Sequence, residues 1–365
     1  MPERQGVAAS RGSGGADGPL LAVDGLHVAF RGRTGPVVAV SDLSFDLAPG
    51  EVLGIVGESG SGKSVSMLGM LGLVANPNIL LSGSARFRGT ELVGADSDSL
   101  RGIRGRQIAF VPQDPMTALT PVYTVGWHIA EQLRAHRSMS RGAARARAVE
   151  LLGEVGIPSP RRRVDDYPHE FSGGMRQRAV IAMALSCEPA LVIADEPTTA
   201  LDVTSQAQIL DLLRRLRAEH GSSVVLITHD MGVVSELADR VLVMYAGRAV
   251  EVGPRSPVFR SPRHPYTWGL LESVPRMTGE PTGGVGAPRA PRRRLPTIPG
   301  SPVTPAEAGT GCVFASRCRH RFDACDSQPP LRPSGDVPSH RDACWLAGTD
   351  RAAARSGDRV VAESA

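Results

Sequence analysis

One eight-residue stretch constrains this chain more than any other: Gly57-Glu58-Ser59-Gly60-Ser61-Gly62-Lys63-Ser64. Its three glycines let the backbone turn tightly, so that successive N–H groups can face inward around an anion. Lys63 is the only lysine of a chain whose other basic residues are all arginines. An ammonium is compact and a guanidinium is a wide planar fork, so a tight ring of N–H groups admits the former more readily. The stretch therefore predicts a loop that encloses an anion and requires a lysine.

The segments around this stretch favour phosphate as the anion. The spacing G-x-x-x-x-G-K-S is that of the P-loop, in which the lysine reaches the β- and γ-phosphates and the serine hydroxyl reaches Mg²⁺. The apolar run Val52–Val56 before it predicts a buried strand, and Ser64–Leu73 after it predicts a helix. The N-terminus of such a helix also attracts phosphate. We therefore predict that residues 57–64 bind a nucleoside triphosphate.

The composition sets wider bounds. A chain of 365 residues suits one large domain with an appendage, or two modest domains. No apolar run approaches the roughly 18 residues of a membrane span. The net charge of +4 is mildly basic, but the arginines are scattered among acidic residues, and the runs Arg161–Arg163 and Arg292–Arg294 lie in Pro-rich stretches. Direct binding of nucleic acid is therefore disfavoured.

The chain divides into four parts. Residues 20–253 alternate strand-like and helix-like segments, which is typical of an α/β fold. Within them, Thr124–Arg137 and Arg141–Val155 read as helices with no strand between them, which predicts a helical subdomain inserted at about residues 114–172. Residues 254–348 are rich in Pro, Gly and Arg and predict a small irregular C-terminal extension. Residues 1–19 lack the apolar core of a signal peptide, so we expect a disordered lead on a cytosolic protein, and a disordered tail at 349–365.

An acidic strand end forms the second nucleotide element. Leu191–Ala194 is an apolar run that ends at Asp195 and Glu196. We expect Asp195 to hold Mg²⁺ through its hydration shell and Glu196 to polarise the attacking water as general base. A strand that merely ends in an acidic turn is the alternative interpretation, and the P-loop upstream disfavours it.

Three further motifs indicate a family. Phe171–Arg178 reads FSGGMRQR at the start of a predicted helix, Phe110–Pro115 precedes the helical insertion, and Ile227–Asp230 follows the next strand. In this order and at these separations, residues 20–253 resemble the ATP-binding-cassette ATPases, which are P-loop NTPases with an α/β fold. The FSGGM stretch departs from the commonest form of that family at Phe171 and Met175 but keeps the serine and both glycines.

This resemblance implies roles for single residues. Lys63 and Ser64 would hold phosphate and Mg²⁺, and Gln113 would touch Mg²⁺ and the attacking water and relay their state to the helical subdomain. His229 would be the switch histidine of catalysis. Further residues would act in or near a dimer of cassettes: Ser172, Gly173 and Gly174 closing over ATP held by the partner, Asp202 lying across the dimer, and Phe30 stacking on adenine. A core-packing role for Phe30 is an equal alternative.

A second resemblance concerns the cargo. Six segments look like those of ATPase subunits of bacterial oligopeptide and dipeptide importers: Gln113–Pro121, Met244–Arg248, Arg263–Thr267, Leu295–Gly300, Gly311–Phe314 and Arg317–Cys318. This implies a peripheral protein on the cytoplasmic face of the membrane, with a second ATPase subunit, two transmembrane permease subunits and, indirectly, an extracytoplasmic peptide-binding protein as partners. The extension also occurs in relatives with other cargo, such as metal chelates.

Four cysteines cluster in the extension: Cys312, Cys318, Cys325 and Cys344. Disulfides are disfavoured in a reducing compartment, and structural zinc sites usually show C-x₂₋₄-C knuckles, which are absent here. Iron–sulfur clusters also take four thiolates and tolerate wider spacing. The family resemblance implies a [4Fe-4S] cluster, with zinc and free thiols as alternatives. Cys187, in a predicted helix, is expected to be a buried core residue.

Two competing functions remain open from the sequence. A cassette ATPase of DNA repair can combine the same motifs with cysteine-bound metal, but its knuckles would be C-x-x-C and would interrupt the ATPase core. A degenerate cassette that serves only as a structural partner would not need Lys63, Glu196 and His229 together. We therefore favour an ATPase that powers a peptide importer.

Overall fold

The computed structural model describes residues 18–199, 201–274, 297–348 and 350–355. Most of the predicted lead at 1–19, most of the predicted tail at 349–365 and the run Arg292–Arg294 lie outside the described residues. Among the residues described, no helix is both long and apolar enough to cross a bilayer.

The described strands are β1 Leu21–Arg31, β2 Pro36–Leu47, β3 Val52–Val56, β4 Ile79–Phe87, β5 Thr90–Glu91, β6 Ile108–Val111, β7 Leu191–Asp195, β8 Ser223–Thr228, β9 Arg240–Tyr245, β10 Arg248–Pro254, β11 Arg332–Pro333 and β12 Arg341–Asp342. The described α-helices are α1 Lys63–Met70, α2 Ser97–Ile103, α3 Val125–His136, α4 Arg141–Glu154, α5 Pro160–Arg163, α6 Gly173–Leu185, α7 Val203–His220, α8 Met231–Leu237, α9 Arg255–Arg260 and α10 Pro265–Glu272.

A central eight-stranded sheet, in the order β11-β12-β10-β9-β3-β8-β7-β6, supports the site. Its strands β9, β3, β8, β7 and β6 pair in parallel. Every residue of β3, β7 and β8 is buried, as expected for apolar strands covered on both faces. Because parallel strands end at the same edge of a sheet, the segments that follow β3, β6, β7 and β8 meet there. This edge carries the P-loop, Gln113, Glu196 and His229.

A second sheet, antiparallel and in the order β2-β1-β4-β5, was not predicted from the sequence. Its inner residues share one core with Met67 and Met70 of α1 and with Ile55 and Ile193 of the central sheet, so α1 lies between the two sheets. The predicted helix Ser64–Leu73 ends earlier, at Met70, because Gly72 takes a left-handed conformation with φ of +60°.

The stretch between β6 and β7 is helical, as predicted. Thr124 and Ser140 cap the N-termini of α3 and α4 with their side chains. Helices α3, α4 and α6 pack through buried small and apolar residues such as Leu133, Ala148 and Ile181. No strand occurs in residues 112–190, all of which the structure describes. The assignment of residues 20–253, 254–348 and the subdomain at about 114–172 as separate units stays a prediction.

Candidate active site

Lys63 lies inside the predicted P-loop. Its side chain is buried, and its Nζ donates to the carbonyl oxygens of Gly57 at 2.7 Å and Glu58 at 2.8 Å and to Ser61 Oγ at 3.3 Å. Burial lowers the pKa of Lys63, and the negative charges of Glu196, Asp195 and Glu58 oppose that shift. The loop therefore encloses one cation, the ammonium of Lys63, close to three carboxylates. This ammonium is already placed to attract a polyanion that enters the loop.

The glycines of this loop are required by its geometry. A Cβ on Gly57 would lie 2.2 Å from the carbonyl oxygen of Met244, and one on Gly62 would lie 2.7 Å from the carbonyl oxygen of Ala39. Gly62 also takes a φ of +94°, which other residues rarely adopt. Gly62 is the N-cap of α1. Because glycine has no side chain, the first N–H groups of α1 have no side-chain cap. Such a helix start suits phosphate.

Ser64 and Asp195 meet beside the loop. Ser64 Oγ donates to Asp195 Oδ1 at 2.8 Å, and Asp195 is 5% exposed at the end of β7. Burial raises the pKa of Asp195; the hydrogen bond from Ser64 opposes this, and the charge of Glu196 adds to it. A buried carboxylate next to a hydroxyl is a hard oxygen donor set, which suits Mg²⁺. A divalent cation would also relieve the unfavourable burial of the carboxylate charge.

Glu196 follows directly and gathers three polar side chains. Gln113 Nε2 donates to its Oε2 at 3.0 Å and Thr199 Oγ1 donates to the same atom at 2.9 Å, while His229 Nδ1 lies 3.1 Å from its Oε1. Glu196 has a left-handed φ of +46°. Burial alone would raise its pKa, but the hydrogen bonds from His229 and Thr199 bring the pKa below the ordinary value. This carboxylate is therefore ionised at neutral pH and can accept a hydrogen bond from water.

The structure brings the predicted residues Gln113, Glu196 and His229 together, and it adds one that the sequence reasoning missed. Thr199 lies three positions after Glu196, in the turn that follows β7. Its hydroxyl fixes the carboxylate from the side opposite His229. The sequence signal for this contact is a hydroxyl residue three positions after an acidic strand end. A turn that follows a strand brings its fourth residue close to its first, so Thr199 can reach Glu196.

The FSGGM stretch lies on the surface at the start of α6. Ser172 is exposed and its Oγ accepts from the N–H of Met175 at 3.3 Å, while a Cβ on Gly173 would meet no atom within 4 Å. A Cβ on Gly174 would lie 3.0 Å from Ser205 Oγ, and Ser205 in turn donates to Asp202, the N-cap of α7. The exposed starts of α6 and α7 are thus neighbours. No hydrogen bond joins them to residues 57–64 in the part of the chain that the structure describes.

Phe30 lies near the end of β1. Its register partners are Val37 of β2 and Ile79 of β4, and its half-buried side chain packs against the core between the two sheets. The β1–β2 hairpin approaches the loop at Gly62 through Ala39. Phe30 therefore contributes to packing, as the alternative interpretation predicts, and its stacking on adenine stays a prediction.

The four cysteines of the extension border one enclosed cavity, together with Phe314 and His264. Its interior of about 10 Å³ has room for about one water molecule. Burial raises the pKa of Cys312, of Cys318 to about 12 and of Cys344 to about 11. Among the described residues, no three His, Cys, Asp or Glu side chains are arranged to hold a metal ion. Cys187 is 4% exposed and is a core residue, as predicted.

These features together define an ATP-binding cassette: a P-loop after β3, two carboxylates at the end of β7, which β8 separates from β3 in the sheet, and a helical insertion between β6 and β7. Residues 40–199 match the family model described as ABC transporter, and residues 250–325 match the model described as oligopeptide/dipeptide transporter, C-terminal region. A protein of Brucella abortus (strain 2308), named as a peptide import ATP-binding protein, is 50% identical over 334 residues, which are 90% of this chain and 97% of the relative. A Brucella melitensis protein of the same description is 51% identical over 320 residues, 86% of this chain and 93% of the relative.

Solved structures indicate the same class of protein, the ATP-binding cassettes. The ATP-binding cassette MJ0796, in a dimeric post-hydrolysis state bound to ADP and Pi, matches with a TM-score of 0.58 and 30% identity over 64% of this chain and 98% of its own. The protein cbiO1 from Clostridium perfringens, part of the ABC transporter complex cbiONQ, matches with a TM-score of 0.55 and 27% identity over 67% of this chain and 91% of its own. The chain belongs to the ABC transporter family, and it is an ATPase of the ATP-binding-cassette type.

Proposed function

We propose that this chain is the ATP-hydrolysing subunit of a membrane importer that moves short peptides into the cell. The observation that carries the proposal is the pairing, on one chain, of an ABC transporter match with an oligopeptide/dipeptide transporter match. The relatives named as peptide import ATP-binding proteins cover the chain at about 50% identity and support the same cargo. These matches favour an importer over the DNA-repair alternative. The cargo itself does not contact this subunit.

The partners follow from this role. The chain pairs with a second ATPase subunit, of its own kind or a close relative, and the pair docks from the cytoplasmic side on two transmembrane permease subunits. A peptide-binding protein delivers cargo on the opposite face and acts on this chain only through the permease. The subunit is therefore peripheral to the membrane.

The P-loop holds the nucleotide. Residues 57–64 wrap the phosphates with backbone N–H groups, and Lys63 turns from the carbonyl oxygens of Gly57 and Glu58 toward the β- and γ-phosphates. This exchange replaces hydrogen bonds to neutral carbonyls by bonds to a polyanion, which are stronger. Phe30 at the hairpin end is the candidate for stacking on adenine.

Ser64, Gln113 and Asp195 form the candidate site for Mg²⁺. Their oxygens suit a hard cation, and Asp195 is buried beside Ser64. When bound, Mg²⁺ neutralises charge on the β- and γ-phosphates. The contribution of the chain is to keep Asp195 ionised and correctly placed, through the hydrogen bond that Ser64 donates.

Glu196 acts as general base for hydrolysis. Gln113, Thr199 and His229 hold its carboxylate from two sides, so that the group keeps one orientation while it accepts the proton of the attacking water. His229 then contacts and stabilises the γ-phosphate. Gln113 links this site to the helical segment that follows β6. Asp202 and the Ser172–Gly174 stretch act on the partner subunit.

That second set of residues closes the dimer. Ser172 and Gly173 present an open helix start at the surface, and Asp202 caps the neighbouring helix. In a head-to-tail pair, this face of one subunit covers ATP in the P-loop of the other, and closure drives the permease. The cassette MJ0796 is dimeric with ADP and Pi bound, which supports the expectation that this chain acts as a dimer.

We infer further that Cys312, Cys318, Cys325 and Cys344 hold a [4Fe-4S] cluster, with zinc as the alternative. The proposal rests on the family resemblance and on the convergence of four thiols on one cavity. The thiol set suits such a cluster, and the cavity between the loops that carry the cysteines, about 10 Å³ in its present arrangement, would have to widen to hold one. When bound, the cluster would cross-link these loops and stabilise the fold of the extension.

Affinity purification from membranes tests the function. A tagged chain, extracted in mild detergent and analysed by mass spectrometry, is expected to bring down two multi-span membrane proteins and a second cassette ATPase. The tag on an unrelated cytoplasmic ATPase is the control. Recovery of DNA-processing proteins and DNA in place of membrane proteins would contradict the proposal.

A further inference from the structure

A buried arginine of the extension reaches the P-loop. Arg317 lies between Cys312 and Cys318, and its side chain is 4% exposed. Its Nη1 donates to Glu58 Oε2 at 2.7 Å and its Nη2 to Glu58 Oε1 at 3.2 Å, which is the two-pronged geometry of a guanidinium on a carboxylate. The two residues are 259 positions apart. This ion pair joins the extension to the second residue of the P-loop.

Every N–H of this guanidinium has an acceptor. Besides Glu58, Nη1 donates to Tyr245 Oη at 3.2 Å, Nε to the carbonyl oxygen of Pro299 at 2.8 Å, and Nη2 to that of Ile298 at 3.4 Å. A guanidinium has five N–H groups, so the set is complete. A group held on all sides in this way has one position, and it fixes the position of the Glu58 carboxylate.

A tyrosine of the same region holds the backbone of the loop. The N–H of Glu58 donates to Tyr266 Oη at 2.8 Å, and Tyr266 is fully buried at the start of α10. Its ring packs on those of Tyr245 and Phe314, with centroids 4.7 Å and 5.4 Å away. Phe314 also borders the cavity of the four cysteines. One aromatic cluster therefore connects that cavity with the first turn of the P-loop.

The ion pair between Arg317 and Glu58 affects nucleotide binding because Glu58 carries a negative charge close to Lys63. Glu58 is one of the carboxylates whose charge acts on Lys63. An unpaired carboxylate at this position would repel the phosphates that Lys63 attracts. Arg317 supplies the compensating charge, and it does so from outside residues 20–253, the predicted nucleotide-binding unit.

We propose that Arg317 and Tyr266 are positioning residues of the ATP site, which fix the first turn of the P-loop and neutralise Glu58, so that the C-terminal extension sets the affinity of the loop for Mg-ATP. This inference rests on the proposed binding of ATP by residues 57–64. It extends that proposal by making the extension part of the nucleotide site.

The test measures binding of a non-hydrolysable ATP analogue with Mg²⁺ to the full chain by calorimetry. Arg317→Ala is expected to weaken binding about tenfold or more, because it leaves Glu58 unpaired. Adding Glu58→Gln to that variant is expected to recover most of the loss. Arg321→Ala is the matched control, since Arg321 pairs with Asp326 at the surface of the same segment, and it should stay within about twofold of wild type.

The outcomes separate the two proposals. Wild-type affinity in Arg317→Ala, together with affinity weakened about tenfold or more in Lys63→Arg, would overturn the role of Arg317 and support the ATP site. A loss that Glu58→Gln does not recover would overturn the electrostatic argument. If Arg317→Ala does not fold, Tyr266→Phe decides, because it keeps the ring and removes only the acceptor of the Glu58 N–H. Unchanged affinity in that variant would overturn the proposal, and a threefold or greater loss, about one hydrogen bond, would support it.

Discussion

Replacing Glu196 by glutamine tests the chemistry of the site with little change in shape. Oε2 of Glu196 accepts from Gln113 and Thr199, and Oε1 faces His229 Nδ1. In Glu196→Gln, the amide oxygen can keep the first two hydrogen bonds. The amide NH₂ can then donate to Nδ1 of a neutral His229 that carries its proton on Nε2. All three contacts survive with one change of tautomer, so the variant should fold and bind Mg-ATP.

The loss should therefore appear in turnover. An amide cannot take a proton from water, and a positioned base contributes about 10²- to 10⁴-fold to a hydrolysis rate. We expect phosphate release to fall by about that factor, while the affinity for Mg-ATP stays within a few fold. Because hydrolysis reopens the dimer, the variant should also accumulate closed dimers that contain ATP.

Phosphate release and size-exclusion chromatography with Mg-ATP measure the two effects. Glu219→Gln, on the exposed end of α7, makes the same chemical change away from the site and should behave as wild type. Hydrolysis by Glu196→Gln within tenfold of wild type would remove Glu196 from the role of base. Loss of ATP binding in the variant would contradict the argument that its hydrogen bonds survive.

Three further changes test other parts of the molecule. Lys63→Arg should lose about ten- to hundredfold in Mg-ATP affinity, since the guanidinium forfeits one charged hydrogen bond of about 1.5–3 kcal/mol, and near-normal calorimetric binding would show that charge alone suffices. Anaerobically purified protein should be brown and contain about four irons per chain, and Cys325→Ser should bleach it and expose the extension to protease, whereas one zinc per chain would replace the cluster assignment. Glu251→Ala should lower the free energy of unfolding in urea by about 3 kcal/mol or more. It removes a fully buried carboxylate that accepts from His340 and from two backbone N–H groups, and a loss under 1 kcal/mol would contradict this.

The nucleotide-binding edge of the fold could be predicted from the sequence because each part is local. The predicted strand Val52–Val56 matches β3 residue for residue, and the predicted apolar run Leu191–Ala194 lies within β7, which ends one residue later at Asp195. Apolar runs of strand length, followed by glycines or carboxylates, place the functional residues at strand ends. Parallel pairing then brings those ends together without further information.

The antiparallel sheet could not be predicted in the same way. Its strands β1 and β4 alternate buried and exposed residues irregularly, because the pairing between them shifts register near Asp24 and His27. A shift of register breaks the period of two on which a sequence pattern depends.

The contacts between the C-terminal extension and the P-loop could not be predicted from the sequence. The sequence pattern does not indicate that Arg317 faces Glu58 or that Tyr266 accepts from the N–H of Glu58. Such pairs depend on how distant segments pack, which a local pattern does not encode. The four cysteines were recognisable as a group because they are few and close in sequence, whereas their ligand is not determined by the arrangement of their side chains.

Transport by the purified complex tests the central claim most directly. The chain, with the membrane partners recovered by affinity purification, would be reconstituted in lipid vesicles and supplied with Mg-ATP on the side of the ATPase and a labelled short peptide with its binding protein on the other. We predict that the peptide accelerates phosphate release and accumulates on the ATP side, and that the complex with Glu196→Gln does neither. ATP hydrolysis that continues at the same rate with and without peptide, with no accumulation, would contradict the account.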